Sequence, residues 1–228
     1  MTRPTIIING SDTREIGLSV TSIPPIQIPS ERVSQVTVPG RSGYLTVSED
    51  SFDSIPKPCG LFYKGTDIAD VARYLQTART FVFSNEPDKI YTGRISRSVD
   101  LEKTILNWHE FSVDFECDPE KREANPQEIT AVSGMTITHP GNRKTRPTFE
   151  ITGTGTVVLL VGTQSVTITG IDGTTIIDGE LQACYTSLGA PRDASMTGEC
   201  PILLPGIATP ISWTGEATIV IKPNWRWV

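Results

Sequence analysis

The chain has 228 residues, 37% hydrophobic and 20% charged, enough apolar material for one large or two small cores and too much for a disordered tail. Twenty-six acidic against 20 basic residues leave a net charge of −6 with no basic run, which argues against sequence-specific grip on nucleic acid. No run of about 18 apolar residues occurs, so no membrane insertion is expected.

The N-terminus carries a short apolar core, Ile6-Ile7-Ile8, before turning polar. A secretion signal needs an apolar stretch of roughly 7–15 residues, so synthesis in the cytosol is expected. Val/Ile/Thr-rich runs punctuated by 19 Gly and 17 Pro predict a mainly β chain. In the first half the expected strands are Thr5–Ile8, Ile16–Val20, Val33–Val38, Tyr44–Val47, Gly60–Lys64, Thr80–Phe83, Lys89–Val99 and Ile105–Cys117.

Val36 to Val47 reads VTVPGRSGYLTV. Val36 and Val38 share one face of the first run, and Tyr44, Leu45 and Val47 carry the second. Gly40 and Gly43 permit positive φ and Pro39 presets its own, which predicts a hairpin or sharp corner with Arg41 at its tip. Asp67 to Arg79 is the one helical segment: Ile68, Val71, Ala72, Leu75 and Ala78 form one stripe. Thr66 or Asp67 is its predicted cap, and Asp70 suits the first turn.

Ile90–Val99 and Ile105–Cys117 read as a long antiparallel hairpin, with the polar stretch Asp100 to Thr104 as its turn. In the second arm Phe111, Val113, Phe115 and Cys117 alternate with Ser112, Asp114 and Glu116, one dry face and one wet. Asp118–Glu128 holds two prolines and no Leu, Ile, Val or aromatic residue, and is the expected linker. Composition changes across it: residues 1–129 hold 33 of the 46 charged side chains. The division expected is 1–128 and 129–228.

The second part is Thr-, Gly- and Ile-rich. Phe149–Ile151, Thr156–Val161, Val166–Ile168, Thr175–Ile177, Leu181–Tyr185 and Ala217–Ile221 read as short strands of a β-sandwich, with Gly153–Gly155, Gly170–Gly173 and Asp178-Gly179 as turns.

Catalytic chemistry has little to stand on. There are two histidines, His109 and His139, and both read as structural; no GxSxG elbow and no paired carboxylate constellation appear. Neither glycine-rich stretch opens a helix after a strand, as a phosphate cradle requires. Asp172, Asp178 and Glu180 lack the spacing of a calcium loop, and turn aspartates ordinarily bind their own backbone. Cys59, Cys117, Cys184 and Cys200 are far apart without a CxxC pair, so zinc is not expected. Buried free thiols are expected, with a Cys184–Cys200 disulfide as the alternative. The expectation is a non-enzyme without cofactor or metal. Trp213, Trp225 and Trp227 near the C-terminus are candidates for stacking on a sugar or partner, against the plainer role of closing the sandwich.

In order along the chain, IIINGSDTREIGLSV, VPGRSGYLTV, DVARYLQTAR and the segment ending FECDP resemble the ring domain of phage distal tail proteins. HPGNRKTRPTFEITGTG, TIIDGELQACY and PILLPGIATPISWTGEATIVIKPNWRW resemble that family's C-terminal domain. The resemblance implies an N-terminal β-sandwich or split-barrel-like domain with one α-helix and a long β-hairpin. A galectin-like or carbohydrate-binding-module-like β-sandwich follows it. It further implies a structural virion protein, a homohexameric ring at the tail tip that stacks singly or back to back. Such a ring joins the tail tube to the hub and host-adhesion apparatus. Its expected partners are copies of itself, the tail tube protein, the tape-measure protein and a hub protein of the tail-associated lysin kind. Arg41, Gly40, Gly43 and Tyr44 are the expected ring-interface residues. The alternative role is a carbohydrate-binding adhesin acting through the C-terminal sandwich. Unlike enlarged family members, this chain has no long insertion.

Overall fold

The computed structural model describes residues 4–96, 102–105 and 108–228, with two compact units, Met1–Ala124 and Asn125–Trp227. The first unit contains β1 (Ile6–Ile8), β2 (Ser11–Asp12), β3 (Leu18–Ser22), β4 (Glu31–Thr37), β5 (Tyr44–Phe52), β6 (Ile55–Lys64), helix α1 (Ile68–Gln76), β7 (Thr80–Phe83), β8 (Lys89–Ile95), β9 (Glu102–Ile105), β10 (Trp108–Cys117) and β11 (Lys121–Glu123). Its main sheet runs β2-β1-β7-β8-β10-β6-β3, while β4 and β5 form a separate two-stranded ribbon. Ile6, Ile8, Leu61, Phe81, Phe83, Val113 and Phe115 build the core, and α1 buries Val71 and Leu75 against it. Asp67 caps the helix by accepting the Asp70 N–H at 3.2 Å.

Several boundaries differ from the sequence reading: β3 begins at Leu18 rather than Ile16, β5 runs on to Phe52 rather than ending at Val47, and Phe149–Ile151 and Thr156–Val161 are one strand, Thr148–Val161. β6 begins at Ile55 rather than Gly60, despite Pro56 and Pro58. β3 pairs with β6 only over Gly60–Tyr63, so both prolines lie where β6 has a ladder partner on one side, the place a sheet tolerates them. The long hairpin also closes later than predicted. Phe115 pairs Ile95 and Glu116 pairs Arg94, and further out Glu110 pairs Glu102 and Trp108 pairs Ile105. Glu102–Ile105 therefore belongs to an arm, not to a turn. The polarity of Asp100 to Thr104 was a poor turn signal, because polar residues serve a ladder as well as a loop. Of that predicted turn, Asp100 and Leu101 lie outside the described residues, as do Arg97 to Val99 of the predicted first arm.

The second unit contains β12 (Ile129–Thr130), β13 (Met135–Thr138), β14 (Thr148–Val161), β15 (Gln164–Asp178), β16 (Ala183–Thr186), β17 (Met196–Thr197), β18 (Ala208–Thr214), β19 (Ala217–Lys222) and β20 (Arg226–Trp227). β14 and β15 form one long ribbon whose halves serve different rows. Thr148–Gly153 pairs β19, whereas Val158–Val161 pairs β18. β15 likewise pairs β16 at Thr175–Asp178 and β17 at Thr167–Ile168. Two five-stranded rows result, β12-β19-β14-β15-β16 and β13-β18-β14-β15-β17, sharing the bent ribbon.

The bend corrects the glycine reading. Gly153 faces Gly173 and Gly155 faces Ile171 within the ladder, with a bulge between Gly155 and Val157. Gly155, Gly170 and Gly173 take φ of 82°, 64° and 96°, a region closed to most side chains. These glycines are not hairpin turns; they let a strand pass from one layer to the other. The ribbon then buries Phe149, Ile151, Val157, Leu159, Val161, Val166, Ile168 and Ile177. The four cysteines are buried free thiols; burial pushes Cys59 and Cys117 up, the latter to about 12, which makes them poor nucleophiles.

Candidate functional site

The β4–β5 ribbon separates from every other part of the fold by its surface. Every residue of β4, and Tyr44 to Asp50 of β5, is exposed. Directly opposed residues share a face, so the register sorts the side chains. Ser34 opposes Val47 and Val36 opposes Leu45; with Val38 these make an apolar face. Val33 opposes Ser48, Gln35 opposes Thr46, and Thr37 opposes Tyr44, a face rich in hydroxyl and amide groups. Tyr44 thus lies on the face opposite to Leu45 and Val47. Val36, Val38, Leu45 and Val47 are each 36–48% exposed.

Of sixteen large apolar side chains exposed among the described residues, eight lie between Ile26 and Val47. That concentration sets the segment apart from scattered surface leucines, which need no explanation. At the tip the Arg41 N–H donates to Val38 O at 3.1 Å, closing the turn. Gly40 and Gly43 hold φ of 80° and 83°. A Cβ at either would meet nothing within 4 Å, so conformation rather than space calls for glycine there. Gly40, Arg41, Gly43 and Tyr44 therefore sit together at the outer end of the ribbon.

The ribbon is fastened at its root. Arg32 Nε donates to Asp53 Oδ1 at 2.7 Å, and the Asp53 N–H donates to Ser30 O at 2.9 Å. The Ser34 hydroxyl donates to Glu49 at 2.7 Å, and the Ser48 hydroxyl to Glu31. Asp53 raises the Arg32 guanidinium above its ordinary value through a hydrogen bond and charge. The pair is exposed, so it orients the root more than it stabilises it.

The three tryptophans occupy different settings. Trp213 donates its Nε1–H to Ala217 O at 3.1 Å, and Trp225 tilts against His139 with ring centroids 4.7 Å apart. Both are partly buried against the core of the second unit. Trp227 is half-buried in β20. His139 is buried and accepts the Gly141 N–H on Nδ1 at 2.9 Å; His109 is buried and stacks on Tyr63. Asp178 accepts the Glu180 and Leu181 N–H groups on one oxygen and the Tyr185 hydroxyl on the other.

One element went unseen in the sequence. Lys57 falls on the inward row of β6 with Ile55, Cys59, Leu61 and Tyr63, and is 1% exposed. Its Nζ donates to Pro25 O at 3.0 Å and lies 4.8 Å from the centre of the Tyr91 ring. Nearby, Lys121 Nζ bonds Glu86 at 2.7 Å and the Tyr91 hydroxyl donates to the same carboxylate. Burial pushes Lys57 below the ordinary lysine value. For Glu86, burial pushes upward, but the bonds from Lys121 and Tyr91 prevail and hold the carboxyl low. The signal was available: a lysine in the apolar row of an alternating strand.

These features define a class of fold: among the described residues, two mainly β units with one α-helix, a long hairpin and an exposed ribbon. The crystal structure of Dit (gp 19.1) of phage SPP1, described as a paradigm of the hub adsorption apparatus in phages infecting Gram-positive hosts, matches at a TM-score of 0.74 over 100% of both chains, with 17% sequence identity. The chain has the Dit fold. No family model matches the sequence, and no curated protein matches it.

Proposed function

We propose that this chain is a structural component of a phage tail hub, assembling as a homohexameric ring at the distal end of the tail. Residues 1–128 make the ring and residues 129–228 form an appended sandwich. The ring joins the tail tube to the hub and the host-adhesion apparatus, with tail tube, tape-measure and lysin-like hub proteins as neighbours. The role is architectural rather than catalytic.

The observation that carries this reading is the ribbon. An apolar face presented by an unsupported pair of strands is unfavourable in isolation and calls for a cover. A second copy of the chain is the natural one, because a closed ring is built from heterologous contacts that use two different patches per subunit. Val36, Val38, Leu45 and Val47 would be buried centrally, with Arg41 and Tyr44 toward one end of the contact. A stable contact of this kind buries on the order of 1,600 Å² in total.

Mass measurement in solution and negative-stain imaging of the purified chain test the proposal. Six-subunit rings, single or stacked, support it. A monomer at tens of micromolar, with the ribbon intact, overturns it.

A further inference from the structure

The ribbon does not grow directly out of the sheet. It is reached through residues 23–30, an extended strap without helix or strand. The strap buries Pro24 and Pro29 and leaves Ile26 and Ile28 exposed. Its prolines cannot donate to a ladder, and side chains take the carbonyls that a neighbouring strand would otherwise have used. Lys57 Nζ donates to Pro25 O at 3.0 Å, and Asn85 Nδ2 donates to Pro24 O at 2.9 Å.

The Lys57 bond is costly to make. An ammonium placed in a core row loses its water, and a methionine of similar length fills the same space without that loss. The fold instead surrounds Lys57 with the faces of Tyr91 and Phe83, at 4.8 and 6.0 Å, and places Glu86 and Lys121 beyond them. Among the described residues, the one hydrogen bond that Nζ makes goes to the strap. What that bond can specify is where the strap lies, and the strap sets where the ribbon starts.

We propose that Lys57, assisted by Asn85, is the positioning residue of the ribbon: it pins consecutive strap carbonyls so that the ribbon leaves the first unit in one direction. The inference rests on the ring reading only for its purpose, since a ribbon already aimed spares assembly the cost of ordering it. The pinning itself belongs to the single subunit.

Spin labels at Gln35→Cys on the polar face of the ribbon and Gln76→Cys on the exposed side of α1 report it, because the four native thiols are buried. Doubly labelled protein is diluted into unlabelled protein so that only distances within one chain are read. In the parent a single distance peak is expected. Lys57→Met should at least double its width while far-ultraviolet circular dichroism stays unchanged; Asn85→Ala, at an exposed position, should broaden it less. An unchanged peak in folded Lys57→Met overturns the proposal. Should that variant not fold, Asn85→Ala decides alone, broadening for and constancy against. Mass measurement on the same samples reads the ring separately, so loss of one conclusion leaves the other standing.

Discussion

Two antiparallel ribbons of this chain have nearly the same sequence grammar and opposite fates. β14–β15 alternates apolar and polar residues, and its apolar row, from Phe149 through Leu159 to Ile168, is fully buried in its own unit. β4–β5 alternates too, and Val36, Leu45 and Val47 stay exposed. Alternation creates an apolar face in both; it does not say which polypeptide covers that face. Where the same chain supplies the cover, the face contributes to folding. Where it does not, the face is available for association.

Matched truncations break the comparison most directly. Leu159→Ala should cost about 2–5 kcal/mol of stability through lost burial and a residual cavity, read from denaturant unfolding of the second unit. Leu45→Ala should change monomer stability by no more than about 0.5 kcal/mol. Comparable losses at the two sites would mean that the ribbon is covered within its own chain.

Charge placed on the exposed face tests the other half. Val36→Lys with Leu45→Glu, opposite charges on directly opposed residues, should leave the monomer melting curve nearly unchanged and weaken subunit association by roughly a hundredfold or more, about 2.7 kcal/mol. Sedimentation across a concentration series measures it. Unaltered assembly would remove the apolar face from the contact.

Acid should weaken the second unit through one buried histidine. In the second unit His139 is held neutral: burial lowers its affinity for a proton, and Nδ1 already accepts the Gly141 N–H. The unfolded chain, with an ordinary value of 6.5, binds that proton more readily. The contribution of His139 is therefore complete above pH 6.5 and declines as pH falls through and below that value. His139→Asn retains an acceptor for Gly141 and should flatten this limb of the pH–stability curve of the second unit. An identical limb in the variant would assign the loss to other groups.

Legibility followed the same division. The helix with its Asp67 cap, the strands Thr80–Phe83 and Ala217–Ile221, and the corner at Gly40 and Gly43 were readable because local pattern and tertiary setting agree there. The Gly153–Gly155 and Gly170–Gly173 stretches misled because a glycine that bends a strand and one that ends it look alike in sequence; only the opposing register separates them. The hairpin turn misleads because polar residues suit a ladder as readily as a loop. Lys57 was missed because its partner, the Pro25 carbonyl, lies 32 residues away and leaves no local trace. At the ribbon the corner is legible locally, but which residues share a face across the two strands follows from the register, which pairs Thr37 with Tyr44 and Val36 with Leu45.

The smallest expected effect lies at the tip. Arg41 makes its turn bond through the backbone, so Arg41→Glu leaves the corner intact while reversing one exposed charge. A charge at the rim of a contact chiefly alters association rate and salt dependence. Arg41→Glu should therefore slow ring assembly about tenfold at low salt, with the gap narrowing as screening grows. Stopped-flow light scattering at two ionic strengths reads both. A slow step that persists at high salt would place Arg41 in the buried centre of the contact rather than at its edge. Parent-like kinetics at both strengths would make the tip a turn and nothing more, and leave Val36, Val38, Leu45 and Val47 as the whole of the ribbon's contribution.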